Sequence, residues 1–352
     1  MNFEQTDDRR MLTDSLSRLL TDACDAKTRN VTAYAAPFHS PDLWSKLADL
    51  GVFYALADPA QGGFGGTGFD ITTIFQALGK ALCPEPVLPT LMAARLLTHA
   101  GADLGPLLSG AVHYAVAVGE LDSWSLDEIE TTARNGTLTG RKSVVYGGAV
   151  AEKILVVARD GAELSLFEIA PADAEVIPYA MIDGGGAAEV FLDATPARLL
   201  RKNAGAAVQD ALDAAALALS AEALGAMDVT RDTVVDYLKQ RRQFGRPIGN
   251  NQALQHRAVE LMTEIEQVRS IVILAASRMG TDSQSRTVSM CKHLSGRVAR
   301  RVAEEAIQMH GGIAMTWEAP VSHYAKRLVM IDSQFGDTDY HIKRVMEGLQ
   351  AT

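Results

Sequence analysis

Apolar residues recur at helical spacing through the first hundred positions. LWSKLADLGVF (43–53) sets Leu43, Leu47 and Leu50 three and four residues apart, and FDITTIFQALGKAL (69–82) repeats the pattern. LPTLMAARLLTHAG (88–101) ends in a glycine suited to close a helix. These runs predict a helical N-terminal domain over 1–110. From about 111 to 200 the period changes: HYAVAVGE (113–120), SVVYGG (143–148), KILVVAR (153–159), LSLFEI (164–169) and AEVFLD (188–193) are short and β-branched or alternating. Gly, Asn, Asp and Pro separate them, which predicts a small β-barrel-like domain. After about 203 the helical period returns over roughly 205–241, 249–280, 284–310 and 320–349. Breaks fall at Gly245-Arg246-Pro247 and in HGGIAMTWEAP (310–320). The expected fold class is therefore α with a β middle domain, closed by a four-helix bundle over 201–352. There is no sequence repeat and no βαβ alternation.

The bulk numbers narrow the class of function. A chain of 352 residues exceeds the size of one ordinary core and implies two or three packed units. With 47% hydrophobic and 22% charged residues it reads as a globular protein. A net charge of −10 argues against a nucleic-acid partner, although a local basic site for one phosphate group is compatible with it. Cys24, Cys83 and Cys291 are too few and too scattered for a disulfide framework, and none has metal-ligand spacing. They read as buried thiols in a reducing cytoplasm. The opening MNFEQTDDRR lacks an apolar core, so no signal peptide is expected, and no apolar run is long enough to span a bilayer. The expected location is the cytoplasm.

Several motifs invite chemistry. GFGGTG (63–68) matches the glycine pattern of a dinucleotide loop, but the run before it continues a helix and no strand–helix–strand unit surrounds it; a turn between helices is the expected role. His256 has no second ligand at metal-like spacing and reads as a core or interface residue. Trp124 and Trp317 read as packing residues rather than cofactor stackers. The junction RRQFGRPIG (241–249) is harder to dismiss. Cations at a helix C-terminus suit the dipole, yet capping needs neither the second arginine nor the ring of Phe244. A guanidinium also fits a phosphate edge, and a ring beside it can cover a flat heterocycle. Both readings, capping and a phosphate or nucleotide contact, stay open on residue chemistry alone.

A resemblance bears on the choice. RRQFGRPIGNNQALQHRAVEL resembles the RxxFG…Q…QH…A segment of the flavin-dependent acyl-CoA dehydrogenases, and AIQMHGGIAMTWEAPVSHYAKR (306–327) is similar to their QxxGG…ExP…R segment. LADLGVFYALADPAQGGFGG (47–66) resembles their N-terminal signature, and GRKSVVYGGAVAEKILVVAR (140–159) their β-domain. The resemblance implies an FAD enzyme that oxidises the Cα–Cβ bond of an acyl-CoA thioester. In such enzymes a carboxylate takes the α-proton while hydride passes to the flavin, and the thioester carbonyl is polarised.

Carried onto this chain, the resemblance implies two groups of FAD contacts. One group reaches across a subunit interface to the FAD held by a neighbour: Arg241, Phe244, Gln308 and Gly312, all present. The other holds the flavin ring within one subunit, and there this chain departs. GELDSWSL (119–126) stands for the family's TEPGxGSD loop and keeps only Glu120, while Val144, Val145 and Tyr146 replace the WIT segment. The position of the catalytic base holds Phe335, and the alternative position on the preceding helix holds Ala215-Ala216. Asp337 and Asp213 are the nearby carboxylates, with ordinary loop and helix-surface roles as the competing reading. The implied function is the non-base-bearing subunit of a heteromeric acyl-CoA dehydrogenase, paired with a homologous subunit in a tetramer and acting on a bulky, steroid-type acyl-CoA. The alternatives are an active homo-oligomer using Asp337 or Asp213, and a non-catalytic acyl-CoA-binding or scaffolding protein.

Overall fold

The computed structural model describes residues 6–121 and 125–350; Trp124 lies outside the described residues. Helices α1 (Asp7–Ala23), α2 (Ala26–Tyr34), α3 (Pro41–Asp49), α4 (Gly68–Ala81) and α5 (Val87–Ala100), with the short α6 (Gly105–Leu108), form the N-terminal part. Their starts follow local chemistry. Asp25 caps α2, Ser40 caps α3 ahead of Pro41, and Thr67 with Asp70 forms a reciprocal capping box at the start of α4.

Strands β1 (Tyr114–Ala117), β2 (Thr132–Arg134), β3 (Thr137–Tyr146), β4 (Lys153–Asp160), β5 (Glu163–Ile169), β6 (Glu175–Ala180), β7 (Gly186–Pro196) and β8 (Arg198–Arg201) form one eight-stranded sheet. Its order is β6-β7-β3-β2-β4-β5-β8, with β1 pairing β4 in parallel. Alternation along the strands divides the two faces. Ala115 and Ala117 of β1 join Ile154, Val156 and Ala158 of β4 in a core internal to the sheet. Tyr114, Val116, Leu155 and Val157 face the helices and merge with the main core.

The C-terminal part holds α7 (Gly205–Gln240), α8 (Gln252–Arg278), α9 (Gln284–His310), α10 (Pro320–Ser333) and α11 (Thr338–Gln350). A miniature hairpin of β9 (Arg242–Gln243) and β10 (Arg246–Pro247) joins α7 to α8. The single helix expected over 320–349 is broken into α10 and α11, because Phe335 (φ 53°) and Gly336 (φ 96°) take left-handed backbone that no α-helix accommodates. No helix among the described residues is long and apolar enough to cross a membrane.

The alanine-rich α7 runs through the middle of the molecule and is buried over most of its 36 residues. Small side chains let α4 approach it closely. A Cβ on Gly225 would lie 2.1 Å from the carbonyl oxygen of Gln76, and one on Gly79 would lie 2.0 Å from that of Glu222. This crossing fixes where Glu222 stands. Gly225→Val should force the helices apart and cost about 3 kcal/mol, read as a lower denaturation midpoint at unchanged m-value.

Candidate functional site

A cavity lies where the three parts of the chain meet. Its walls come from Arg29 of α2, Glu85 and the α4–α5 turn, Tyr146 at the end of β3, Asp183 in the β6–β7 turn, Glu222 of α7 and Arg327 of α10. Arg327 organises it. Its Nε and Nη2 donate to the two oxygens of Glu222 at 2.6 and 2.8 Å, a bidentate fork, while Nη1 donates to Asp183 Oδ2 at 2.8 Å and to Gln334 Oε1 at 3.1 Å. Burial works against the guanidinium charge, but the Glu222 and Asp183 carboxylates raise its pKa above the ordinary arginine value. Arg29, also buried, donates to the Asp183 carbonyl at 2.6 Å and to the Leu82 carbonyl at 3.0 Å. Two arginines and two acids thus balance their charge inside the molecule.

The α10–α11 loop enters this cavity through Gln334, and next to it stands Phe335, at the position the resemblance gives to the catalytic base. Its ring meets Tyr146 edge-on at 5.4 Å between centroids, and burial pushes the Tyr146 phenol up. The loop is held from beneath. Lys292 Nζ donates to the carbonyls of Asp332 and Gly336, both at 2.9 Å, and His341 Nε2 donates to that of Phe335 at 3.1 Å. Burial lowers Lys292 to about 8 and His341 to about 3.

Neither candidate aspartate reaches the cavity walls. Asp337 is exposed at the start of α11, where Oδ1 accepts the N–H of Tyr340 at 2.8 Å as a helix cap. Asp213 is buried on α7, with Gln209 Nε2 at 2.8 Å, the Ser285 hydroxyl and Arg344 Nη1 at 3.6 Å around it; burial raises its pKa. Ala215 and Ala216 are buried in the apolar core.

The segment that the resemblance sets against the flavin ring is bonded within the chain. Val144 sits at φ 51°, rare for a β-branched residue, in a bulge that shifts the β3–β7 register between Lys142 and Val145. Its N–H points to Glu189 Oε1 at 3.3 Å, and Glu189 also accepts the Ser143 hydroxyl at 2.8 Å, the Tyr179 hydroxyl at 3.1 Å and Arg141 Nε at 3.0 Å. Glu120 is likewise engaged: it accepts the buried Lys142 Nζ at 2.6 Å, the N–H of Glu130 at 2.7 Å and the Thr131 hydroxyl at 2.7 Å. Burial opposes both members of that pair, lowering Lys142 to about 8, while Lys142 in turn keeps the Glu120 carboxyl below its usual value.

On the outer surface the arrangement is different. Phe244 and Gly245 form a two-residue hairpin loop with φ 52° and 80°, the primed-turn geometry that matches strand twist. Such turns favour Asn-Gly; here a phenylalanine takes the strained first position and its ring is 100% exposed. Arg241 caps α7 through its backbone, its N–H bonding the Tyr237 carbonyl at 2.8 Å, while its side chain is exposed and makes no ion pair among the described residues. Tyr237 stacks on His310 with ring centroids 4.4 Å apart, so the C-terminal ends of α7 and α9 meet. That contact brings the Arg241–Phe244 hairpin to the same end of the bundle as the exposed Gln308 and Gly312.

The remaining candidates resolve as packing or surface. Gly63, Gly65 and Gly66 of GFGGTG follow a 3-10 turn rather than a strand and press against the backbone at 54–58, where a Cβ on Gly63 would lie 2.1 Å from the Ala57 oxygen, while Gly68 packs on Ala276 of α8. His256 is exposed on α8, so it is no core residue. The expectation of buried thiols is met for Cys291 but not for the half-buried Cys24 and Cys83. Trp317 is half exposed, packed on Tyr34 at 4.9 Å with Lys326 over its face. Sequence reading missed the Arg327–Glu222–Asp183 cluster. The available signal was Glu222, an acid inside the otherwise apolar run AALALSAEALGAM.

Comparison with known proteins agrees with this architecture. Residues 203–350 match the model of the acyl-CoA dehydrogenase C-terminal domain. The chain is similar to acyl-CoA dehydrogenase IpdE2 of Mycolicibacterium smegmatis, 30% identical with 92% of each chain covered. Among solved structures it resembles the Tcur3481–Tcur3483 steroid ACAD, in a variant form, with a TM-score of 0.89, 25% identity and 98% of each chain covered. The ChsE4–ChsE5 complex from Mycobacterium tuberculosis shares the fold with a TM-score of 0.91 at 22% identity, covering 100% of each chain.

The buried His341 makes an acid-stability prediction. Its folded pKa of about 3 lies below the unfolded value of 6.5, so between those limits the unfolded chain binds more protons and stability falls as pH drops. His341→Gln keeps a donor for the Phe335 carbonyl without the titration. Urea unfolding at pH 7 and 5 should show the wild type losing about 2 kcal/mol more than this variant.

Proposed function

The chain belongs to the acyl-CoA dehydrogenase family, and on that premise we propose that it is the non-base-bearing subunit of a heteromeric acyl-CoA dehydrogenase. It pairs with a homologous, base-bearing subunit, in an α2β2 tetramer of the cytoplasm, and the complex oxidises the Cα–Cβ bond of a bulky acyl-CoA of the steroid side-chain type. The steroid assignment draws on the similarity to the Tcur3481–Tcur3483 steroid ACAD. The three units are taken as 1–110, 111–200 and 201–352.

One observation carries this reading: the residues that would reach a neighbour's cofactor are presented to the exterior, while the residues that would do chemistry inside this chain are replaced or engaged. Arg241 and Phe244 stand exposed with Gln308 and Gly312 at one end of the bundle. This set fits the dinucleotide end of FAD. The guanidinium suits a diphosphate edge, the free ring an adenine face, the amide and the bare glycine backbone the remaining polar edges. The interior does not fit a working ring site, because Glu189 already takes the Val144 N–H and the arginine on the cavity wall is held by two acids. When bound, FAD supplies the hydride acceptor. This chain's residues anchor the cofactor's tail and align the neighbour, and they move no proton, since a ring stands at the base position.

Two variants test the division. Arg241→Ala should cut the FAD affinity of the co-expressed complex by about 1.5–3 kcal/mol, the worth of a charged hydrogen bond, read by equilibrium flavin titration; unchanged affinity contradicts the role. Asp337→Asn keeps the helix cap, since Asn and Asp cap equally well, but cannot accept a proton. Turnover of the complex with a dye acceptor should stay within about twofold, whereas the loss of roughly two or more orders of magnitude expected for a base would favour a homo-oligomeric enzyme using Asp337.

A further inference from the structure

Cys24 and Cys83, 59 positions apart in sequence, lie to either side of Pro84, between a surface cavity and the central cavity. Cys24 closes α1, its N–H bonding the Leu20 carbonyl at 2.9 Å. Cys83 follows Leu82, whose left-handed backbone (φ 49°) ends α4. Arg29, five residues after Cys24, donates to the carbonyl of Leu82 at 3.0 Å and so pins the two segments side by side. The two thiol side chains interact with each other. Both are partly exposed: Cys24 shares the wall of a surface cavity with Pro84, and Cys83 shares the wall of the central cavity with the same proline. A small oxidant can therefore reach the pair, unlike Cys291, which is fully buried.

We propose that Cys24 and Cys83 form a site of oxidative modification, where a hydroperoxide converts the two thiols into one intramolecular disulfide. Cys24 is the attacking group. It stands on the wall of the surface cavity together with Arg29, whose positive charge favours its thiolate, whereas the neighbouring thiol and burial push Cys83 up. The Cys24 thiolate attacks the O–O bond, which breaks to give a sulfenic acid and release water or an alcohol carrying the displaced proton. Cys83 sulfur then attacks the sulfenic sulfur. The S–S bond forms, the S–O bond breaks, and the hydroxide leaves as water with the Cys83 proton. Two thiols lose two electrons and the peroxide gains them. The cross-link would tie the α1–α2 junction to the α4–α5 turn, the two segments that Arg29 bridges at the cavity wall. This inference stands on the thiol geometry and is independent of the FAD reading.

The test is non-reducing peptide mapping by mass spectrometry of the folded, co-expressed complex after hydrogen peroxide. The expected product is one linked peptide joining Cys24 to Cys83, lighter by two hydrogens than its parts and split again by dithiothreitol. Cys83→Ser should leave Cys24 trapped as a sulfenic acid that dimedone labels; Cys24→Ser should lose both the link and the label at Cys83; Cys291→Ser should change nothing. Recovery of Cys24 and Cys83 as free thiols, or as separate sulfinic acids without the linked peptide, overturns the proposal. Because the wild-type map alone decides between those outcomes, the answer does not depend on either variant folding.

Discussion

The molecule is organised around one largely buried guanidinium. Arg327 on α10 reaches Glu222 on α7 through a two-toothed fork and Asp183 in the β6–β7 turn through its third nitrogen. Arg29 of α2 grips the same turn from the other side. One charge cluster therefore touches the N-terminal helices, the sheet and the C-terminal bundle. A buried ion cluster of this kind is weak evidence for added stability, because the cost of removing the charges from water offsets most of their attraction. Its consequence is positional. Removing one member strands the others, so the three parts of the chain are held in one relative placement, around a cavity lined by paired charges.

The lining of that cavity sets what the interior offers. The position that the resemblance gives to the base carries Phe335 in a left-handed conformation against Tyr146, fixed by Lys292 and His341 beneath the loop. Among the described residues, the carboxylates that line the cavity, Glu85, Asp183 and Glu222, each hold a basic partner. The exterior shows the opposite pattern. A strained, fully exposed phenylalanine at a hairpin tip is a local cost with no return inside the chain. Beside it stands an arginine without an ion pair among the described residues. Both become intelligible if a second subunit brings a planar, anionic ligand to that end of the bundle. On the proposed reading, contacts kept outside belong to a subunit whose work is done on its neighbour's cofactor.

Much of this was legible in the sequence. The order of helices, strands and helices followed from the switch between 3.6 and 2.0 periods, and α9 runs over the predicted 284–310. The hairpin residues Arg241 and Phe244 stood out because capping alone leaves the ring unexplained. The break between α10 and α11 did not show, since a phenylalanine at positive φ leaves no compositional trace. The central charge cluster was hidden for another reason: Asp183, Glu222 and Arg327 come from three elements far apart in sequence, and only the close crossing of α4 and α7 at Gly79 and Gly225 sets Glu222 in place. His256, read as a core or interface residue, is exposed on α8, which leaves the interface role of that reading.

The most direct measurement is the flavin content of the purified protein, alone and co-purified with its homologous partner, by absorbance of the released cofactor against total protein. The account predicts a colourless isolated chain and a yellow complex holding one FAD for each pair of unlike subunits. One FAD per polypeptide in the complex, or firm flavin binding by the isolated chain, would contradict it.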